Sequence, residues 1–220
     1  MADTKKLPIA LQVYSVRDFA AKDLAGTLKK IAAMGYQGVE FAGYYNVPAA
    51  EIKKMLDDCS LKCIGAHLGV KDLLADQFDK TVEFQKTLGN CSLIVAGGLA
   101  QAYATDAGNR MAAYLFDEFS LKAEKVGMRV GFHAHGGADP YAAIKKFPGR
   151  GQLIHVKAFG PKGTIVGDDN DKVDWPKVFS LCETVAGTEW YIVEQESAPG
   201  KTTSLEASEI ALKNLRKMGK

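Results

Sequence analysis

Three apolar stretches of the chain end in side chains that can bind a metal ion or transfer a proton. Their sequences are MRVGFHAH (128–135), QLIHVK (152–157) and WYIVEQE (190–196), and the polar side chains near their ends are His133, His135, His155, Lys157, Glu194 and Glu196. Side chains alternate faces along a β-strand, so the polar residues of each stretch share one face. Imidazole nitrogens and carboxylate oxygens suit zinc, manganese or cobalt, so the three stretches predict strands whose polar ends meet a ligand, a metal ion or one another.

Three earlier segments place polar residues in the same way. The residue pairs that share a strand face are Gln12 with Tyr14, Gly38 with Glu40, and Gly65 with His67. An inward polar group is costly unless it meets a ligand, a metal ion or another polar group. For any single inward polar residue, the commoner explanation is a buried group whose hydrogen bonds are satisfied within the protein. For all of these residues together at one rim of the fold, a binding site is the better explanation.

The elements that must position these residues alternate regularly between strand and helix. Predicted strands cover 8–16, 37–41, 61–67, 92–96, 128–135, 152–157 and 191–194, and predicted helices cover 23–34, 49–59, 76–88, 106–126, 140–147, 176–184 and 204–218. Strict alternation favours a parallel sheet with right-handed crossovers. A dinucleotide-binding sheet would carry G-x-G-x-x-G after its first strand, whereas this chain has YSVRDF (14–19) there. We therefore predict a TIM-type (β/α) barrel, whose chemistry lies at the C-terminal strand ends.

Length and composition exclude several classes of protein. The 220 residues are expected to form a single domain, and 28 basic against 26 acidic residues leave a net charge of only +2, too little to drive binding to nucleic acid. No apolar run reaches the roughly 18 residues of a membrane span, and no signal peptide is evident. The four cysteines have no paired metal spacing. We predict a cytoplasmic protein that binds neither membrane nor nucleic acid.

Six motifs spread over almost the whole chain resemble the sugar phosphate isomerase/epimerase family, which has the xylose isomerase-like barrel. They are LQVYSVRD, MGYQGVEF, GMRVGFHAH, FPGRGQLIHVK, VDWPKVF and WYIVEQES. The resemblance implies one divalent metal ion (Mn, Co, Zn or Mg), held at the C-terminal mouth by residues of the fifth strand, an aspartate of the sixth, the histidine of H-V-K and the glutamate of V-E. His155 and Glu194 match this pattern, and His133 lies where many relatives carry glutamate.

The sixth-strand aspartate has no counterpart, because HGGADP (135–140) joins the fifth strand directly to the next helix. Helix five and strand six are predicted to be absent, which leaves about seven strands. The remaining segment is long enough for a single crossover helix, which needs roughly ten to twelve residues. A missing ligand predicts a weakly bound metal ion, and the uncovered neighbours of the missing unit predict a homo-oligomer. Ala158 also stands where relatives commonly carry aspartate.

The sequence predicts three sets of site residues. The metal ligands are His133, His155 and Glu194; the catalytic residues are Glu194, Lys157, His67 and Glu40; the substrate-binding residues are Gln12, Tyr14, His135, Phe159 and Trp175. Core packing is an equally good explanation for Trp175. The acidic, glycine-rich segment 160–171 lacks the spacing of a calcium-binding loop and is interpreted as a mobile surface loop.

The predicted function is a divalent-metal-dependent isomerase, epimerase or lyase that removes a proton next to the carbonyl of a small-molecule sugar or keto-sugar substrate. One alternative is a non-catalytic barrel that binds a sugar or serves as a structural subunit. A second alternative is a hydrolase similar to endonuclease IV. It is disfavoured because such sites hold three metal ions and need more ligands than four histidines allow.

Overall fold

A computed structural model describes residues 6–98, 105–134 and 139–220. Seven strands and eight helices alternate along these segments. The strands are β1 (Ile9–Gln12), β2 (Gly38–Phe41), β3 (Lys62–Gly69), β4 (Ser92–Gly97), β5 (Arg129–Phe132), β6 (Leu153–Val156) and β7 (Trp190–Val193). The helices are α1 (Arg17–Ala20), α2 (Leu24–Met34), α3 (Ala49–Asp58), α4 (Gln77–Leu88), α5 (Asp106–Glu124), α6 (Pro140–Lys146), α7 (Trp175–Leu181) and α8 (Ser204–Lys217).

All seven strands are parallel and form one sheet in the order β5-β4-β3-β2-β1-β7-β6. In a flat sheet the six gaps of about 4.8 Å would place the two edge strands about 29 Å apart. Instead, His133 next to β5 and His155 in β6 have ring centroids only 4.5 Å apart. The sheet therefore curls into a barrel that is incomplete between β5 and β6, which confirms the predicted shortened barrel of seven strands.

The inward side chains form two layers. The lower layer is an apolar floor that contains Ala10, Leu153 and Ile192. Two residues further along the chain stand Gln12 of β1, His155 of β6 and Glu194, which directly follows β7. They point to the same side because strand side chains alternate with a period of two. Each of these site residues therefore rests directly above a packed apolar residue of its own strand.

The outward side chains join the helices in a larger core. Leu11, Val39 and Tyr191 are fully buried against the surrounding helices, in a cluster that includes Leu28 and Leu212. Helix boundaries agree with the sequence because they carry strong end signals. For example, the Asp23 side chain accepts a hydrogen bond from Gly26 N at the start of α2.

Two predicted strands are shorter in the structure. Strand β1 ends at Gln12, because the side chain of Gln12 accepts a hydrogen bond from Tyr14 N and the chain turns into a 3-10 helix over Val13–Val16. Strand β5 ends at Phe132, although one more sheet hydrogen bond, from His133 N to Val95 O, continues its direction. The prediction that Tyr14 shares a strand face with Gln12 was therefore wrong.

The segment 160–171, which we interpreted as a mobile surface loop, is anchored by one carboxylate. Asp171 accepts hydrogen bonds from the backbone amides of Phe159, Gly167 and Val173 and from Trp175 Nε1. The segment also buries Ile165 and Val166 in the main core. The sequence did not predict this anchoring, because composition alone does not reveal that an acidic side chain accepts hydrogen bonds from backbone donors.

Replacing Asp171 by alanine is expected to lower the free energy of unfolding by about 2–3 kcal/mol. The reason is that four hydrogen-bond donors lose their acceptor, and some of these donors are shielded from water. Urea denaturation measures the loss, and the emission of Trp175 should shift to longer wavelength in the folded variant. Asp169 is exposed, so Asp169→Ala is the matched control and should leave both readings unchanged. Equal stability of the two variants would contradict the anchoring role.

Among the described helices, none has the length and apolar character needed to cross a membrane.

Candidate metal centre

Three histidines from three strands meet at the C-terminal mouth of the barrel. His67 lies in β3, His133 directly follows β5, and His155 lies in β6. Each offers one ring nitrogen, and the three nitrogens lie within 4.8 Å of one another. His67 and His133 have ring centroids 4.5 Å apart, and those of His67 and His155 are separated by 5.2 Å. Nitrogen donors at this spacing from separate strands form a potential metal-binding group.

Glu40 in β2 lies beneath two of the histidines and is only 1% exposed. Its Oε2 accepts a hydrogen bond from Gln12 Nε2 at 2.7 Å and lies 2.6 Å from His155 Nε2 and 2.9 Å from His67 Nε2. Gly65 leaves room for this carboxylate, because a Cβ at Gly65 would stand 2.6 Å from Glu40 Oε1. The predicted residues Gln12, Glu40 and His67 are therefore in direct contact.

Glu194 holds the opposite side of His155. Its Oε2 lies 2.7 Å from His155 Nδ1 and 3.8 Å from His133 Nε2. His155 is therefore placed between two carboxylates, one at each ring nitrogen. The structure brings together His133, His155 and Glu194, the three ligands predicted from the sequence, and adds His67 as a third nitrogen donor.

The charges of this cluster stabilise one another. Burial alone would lower the pKa of His155, but the charge of Glu40 and the hydrogen bonds to Glu194 and Glu40 outweigh it and raise the pKa to about 9. Burial would raise the pKa of Glu194, yet its hydrogen bond to His155 and the nearby positive charges lower it to about 2. Glu40 responds in the same way, and His155 and His67 hold its pKa far below the usual range. Without a metal ion, His155 is thus a cation between two anions.

The donor set fits a divalent transition metal ion. Glu40 Oε1 and His67 Nε2 are buried, and neither makes a well-directed hydrogen bond within the described segments. A buried polar atom without such a bond is costly, and a metal ion that replaces a proton would remove that cost. Three imidazoles with carboxylates beside them match zinc chemistry, in which carboxylates orient the histidine ligands.

A cavity of about 450 Å³ lies above the centre and opens to solvent. Tyr14, His67, His133, Glu194 and Glu196 contribute to its lining. Next to this mouth cavity, Lys157 Nζ lies 2.8 Å from Glu196 and 3.8 Å from Glu194. Lys157 and Glu196 are each partly exposed, so they can contact a molecule bound in the mouth cavity.

The predicted substrate-binding residues have different positions. Tyr14 lines the mouth cavity, is 42% exposed, and stacks with the Arg17 guanidinium 4.2 Å from its ring centroid. Trp175 is 4% exposed and packs on Phe179, and it also lines a second cavity between β5 and β6, so both explanations for this residue stay open. Phe159 is 71% exposed and is not among the residues that line the mouth cavity, and His135 lies outside the described residues.

Two residues of the cluster have surroundings that the sequence did not predict. His67 was expected to act in catalysis, whereas its position beside His133 and His155 makes it a potential ligand. Glu196 was not included in the site, although it shares a strand face with Glu194. That alternation was the available signal, but the sequence does not reveal that Lys157 reaches across from the neighbouring strand to Glu196.

Comparisons with known proteins support the fold. No family model matches the sequence, and no curated protein matches it. A sugar phosphate isomerase/epimerase from Parabacteroides distasonis ATCC 8503 superposes with a TM-score of 0.74 at 17% identity and 98% coverage of both chains. A xylose isomerase domain containing protein from Salmonella typhimurium LT2 gives 0.73 at 9% identity and 100% coverage of both.

The IolI protein, solved with a bound zinc atom, gives a TM-score of 0.70 at 13% identity, with 96% of this chain and 97% of that chain covered. At these identities the likeness concerns the fold. The chain therefore has the barrel fold of the sugar phosphate isomerase/epimerase and xylose isomerase-domain proteins, in a form with seven strands.

Proposed function

We propose that the protein is a divalent-metal-dependent isomerase, epimerase or lyase that removes a proton next to the carbonyl group of a sugar or keto-sugar. The observation that carries this proposal is the group of His67, His133 and His155 at the mouth of a barrel, with Glu40 and Glu194 beside it. The zinc atom in the IolI protein, which shares the fold, supports a metal site in this chain.

Zinc is the ion that the donors favour, because three imidazole nitrogens suit zinc better than magnesium, which prefers oxygen. The ion would stabilise negative charge on the substrate oxygens as the carbon-bound proton leaves. His67, His133 and His155 would hold it. Gln12 positions Glu40 through its 2.7 Å hydrogen bond. Because Glu194 occupies Nδ1 of His155, this histidine would bind the ion through Nε2, and the ion would replace the present contact of that nitrogen with Glu40.

Lys157 and Glu196 are suited to proton transfer. Glu40 and Glu194 are almost fully buried and engaged with histidines, whereas Glu196 is 43% exposed at the mouth cavity. Glu196 can accept the carbon-bound proton, and the Lys157 ammonium group, 2.8 Å away, can donate a hydrogen bond to the developing oxyanion. Glu194 remains the residue that holds His155.

Zinc-loaded protein in D₂O is expected to exchange the proton next to the carbonyl of at least one sugar in a panel of ketohexoses and their phosphates. Proton NMR follows the exchange. Glu196→Gln should slow it at least about 100-fold, because general base catalysis contributes roughly 10²–10⁴-fold. The zinc affinity of this variant should stay within about threefold of wild type, since Glu196 lies outside the histidine group.

Glu209→Gln is the control for the loss of one negative charge, because Glu209 lies on α8 and pairs only with Lys213 among the described residues. Its exchange rate should equal that of wild type. Full exchange activity in Glu196→Gln would exclude this residue as the base. No exchange with any member of the panel, in protein that binds zinc at the histidines, would contradict the proposed reaction.

A further inference from the structure

The incomplete part of the barrel forms a slot between the edge strands β5 and β6. Its volume is about 440 Å³, within the range of roughly 300–1,000 Å³ that is typical of small-molecule sites. The slot passes through the barrel wall. Ile94 and Gly131 line its inner part, and Ile144 of α6 covers it from outside. It is therefore a covered space beside the barrel interior.

The slot is continuous with the candidate metal centre. His133, His155 and Glu40 line the slot, and His133 also lines the mouth cavity. A molecule bound at the histidines can therefore extend part of its structure into the slot. A closed barrel would have a further strand at this place, so the connection depends on the shortened sheet.

The walls of the slot are mainly apolar, although Arg129, Arg150, Gln152 and Lys157 also line it. Val130 and Phe132 contribute from β5, Leu153 and Ile154 from β6, and Val178 from α7. Sugar hydroxyls that lose water against such walls would lack hydrogen-bond partners, which is unfavourable. An aromatic or branched aliphatic group of similar size would instead bury its surface with a gain of free energy.

We propose that the slot binds an apolar substituent of the substrate, so that the substrate is a keto-glycoside, in which a ring ketone supplies the carbonyl group and the aglycone is aromatic or branched aliphatic. The sugar ring lies in the mouth cavity beside Tyr14 and Glu196, and the aglycone passes His133 and His155 into the slot. This proposal rests on the proposed function for the position of the sugar ring. The apolar occupant itself follows from the enclosure, the volume and the lining of the slot.

Phenyl β-D-glucoside and methyl β-D-glucoside test the slot, since they differ only in the aglycone. Isothermal titration calorimetry should show the phenyl compound binding at least about tenfold more tightly to the wild-type protein, because only the phenyl ring fills apolar space. The titrations are performed with zinc-loaded and with metal-free protein.

Two variants of α6 test whether the preference for the phenyl compound arises in the slot. Ala143 is exposed to solvent at the slot and Ala142 is exposed beside it without lining it, so both accept a larger side chain without disturbing the core. Ala143→Trp should fill the slot and reduce the preference for the phenyl compound to less than about twofold. Ala142→Trp should keep the wild-type preference. Circular dichroism checks that both variants fold, and Ala143→Met replaces Ala143→Trp if the latter does not.

The result that would overturn the proposal is equal binding of the two glucosides to wild type, or a preference that survives in Ala143→Trp. Zinc affinity, measured in competition with a chromophoric chelator, reports separately on the proposed function. A phenyl preference that depends on Ala143 in a protein that does not bind zinc would support the slot and contradict the metal-dependent reaction. Zinc binding without a preference for the phenyl compound would support the metal-dependent reaction and contradict the slot.

Discussion

Zinc affinity is expected to fall at least about 100-fold when glutamine replaces either His67 or His133. Loss of an interaction that only orients a ligand already costs roughly 10–100-fold, and loss of a ligand should cost at least as much. Calorimetric titration at pH 7.5 measures the change. Tyr14→Phe is the matched control, because Tyr14 lines the same cavity but offers no ligand to the histidine group.

Glu194→Gln separates the two possible roles of this residue. If Glu194 only orients His155 through its 2.7 Å contact with Nδ1, the variant should bind zinc roughly 10–100-fold more weakly. If Glu194 is itself a metal ligand, the loss of zinc affinity should be larger. The sequence predicted weak binding because an aspartate is missing, but His67 supplies another donor at the centre. We therefore expect zinc to bind at micromolar or lower concentration. If His67→Gln binds zinc as tightly as the wild-type protein, His67 does not take the place of the missing aspartate.

Zinc binding should also strengthen with rising pH. The pKa of His155 is raised to about 9 in the metal-free protein, so a metal ion must displace a proton below that pH. The apparent affinity is expected to rise by up to about tenfold for each pH unit between pH 6.5 and 9, and to level off above. Titrations at several pH values measure this slope, and a flat profile would contradict a proton on His155.

Glu40→Gln is expected to lower the free energy of unfolding of the metal-free protein by about 1–3 kcal/mol at pH 6. Glu40 contacts both His67 and His155, and its neutralisation removes one of the two carboxylates that stabilise the His155 charge, while Glu194 still pairs with His155. Urea denaturation in the presence of a chelator measures the loss. Glu51→Gln, at an exposed position of α3, is the control and should change stability by less than about 0.5 kcal/mol.

The effect of Glu40→Gln depends on pH in a defined direction. Because the folded-state pKa of His155 is raised above its unfolded value of 6.5, the stabilisation is complete below pH 6.5 and is lost as the pH rises through about 9. Wild-type stability should therefore fall by about 3 kcal/mol over this window. The destabilisation caused by Glu40→Gln should be smaller at pH 9.5 than at pH 6. An equal loss at both pH values would show that the His155 charge is not involved.

Acid acts on the carboxylate side of the same cluster. The pKa of Glu194 is lowered to about 2 from an ordinary value of 4.5, so its contribution is present above pH 4.5 and is lost as the pH falls towards 2. The metal-free protein should therefore be most stable between about pH 5 and pH 6.5.

Fold class and strand number could be predicted because local signals agree along the chain. Alternating elements, the Asp23 cap and the direct connection from β5 to α6 all favour one shortened barrel. The early end of β1 could not be predicted, because the turn depends on one side-chain hydrogen bond from Tyr14 N to Gln12. The role of Asp171 could not be predicted either, because it depends on hydrogen bonds from four separate donors.

The site could be predicted only in part. Alternation along each strand placed Glu40, His155 and Glu194 correctly on the inner face. The distances between different strands depend on the curl of the sheet, which brings His133 and His155 together from its two edges. The sequence contains no local signal for this curl. It therefore predicted which residues belong to the site, but not that His67 contacts the other two histidines.

The interior position of β1 in the sheet has a consequence for how the chain folds. Leu11 pairs with Val39 on one side and with Val193 on the other, so the first strand is held by residues from both ends of the chain. Contacts of such large sequence separation slow folding. During synthesis, β1 can acquire its second neighbour only after residue 193 has left the ribosome. Until then one edge of β1 stays open to other chains, and this exposed edge favours aggregation of the nascent protein.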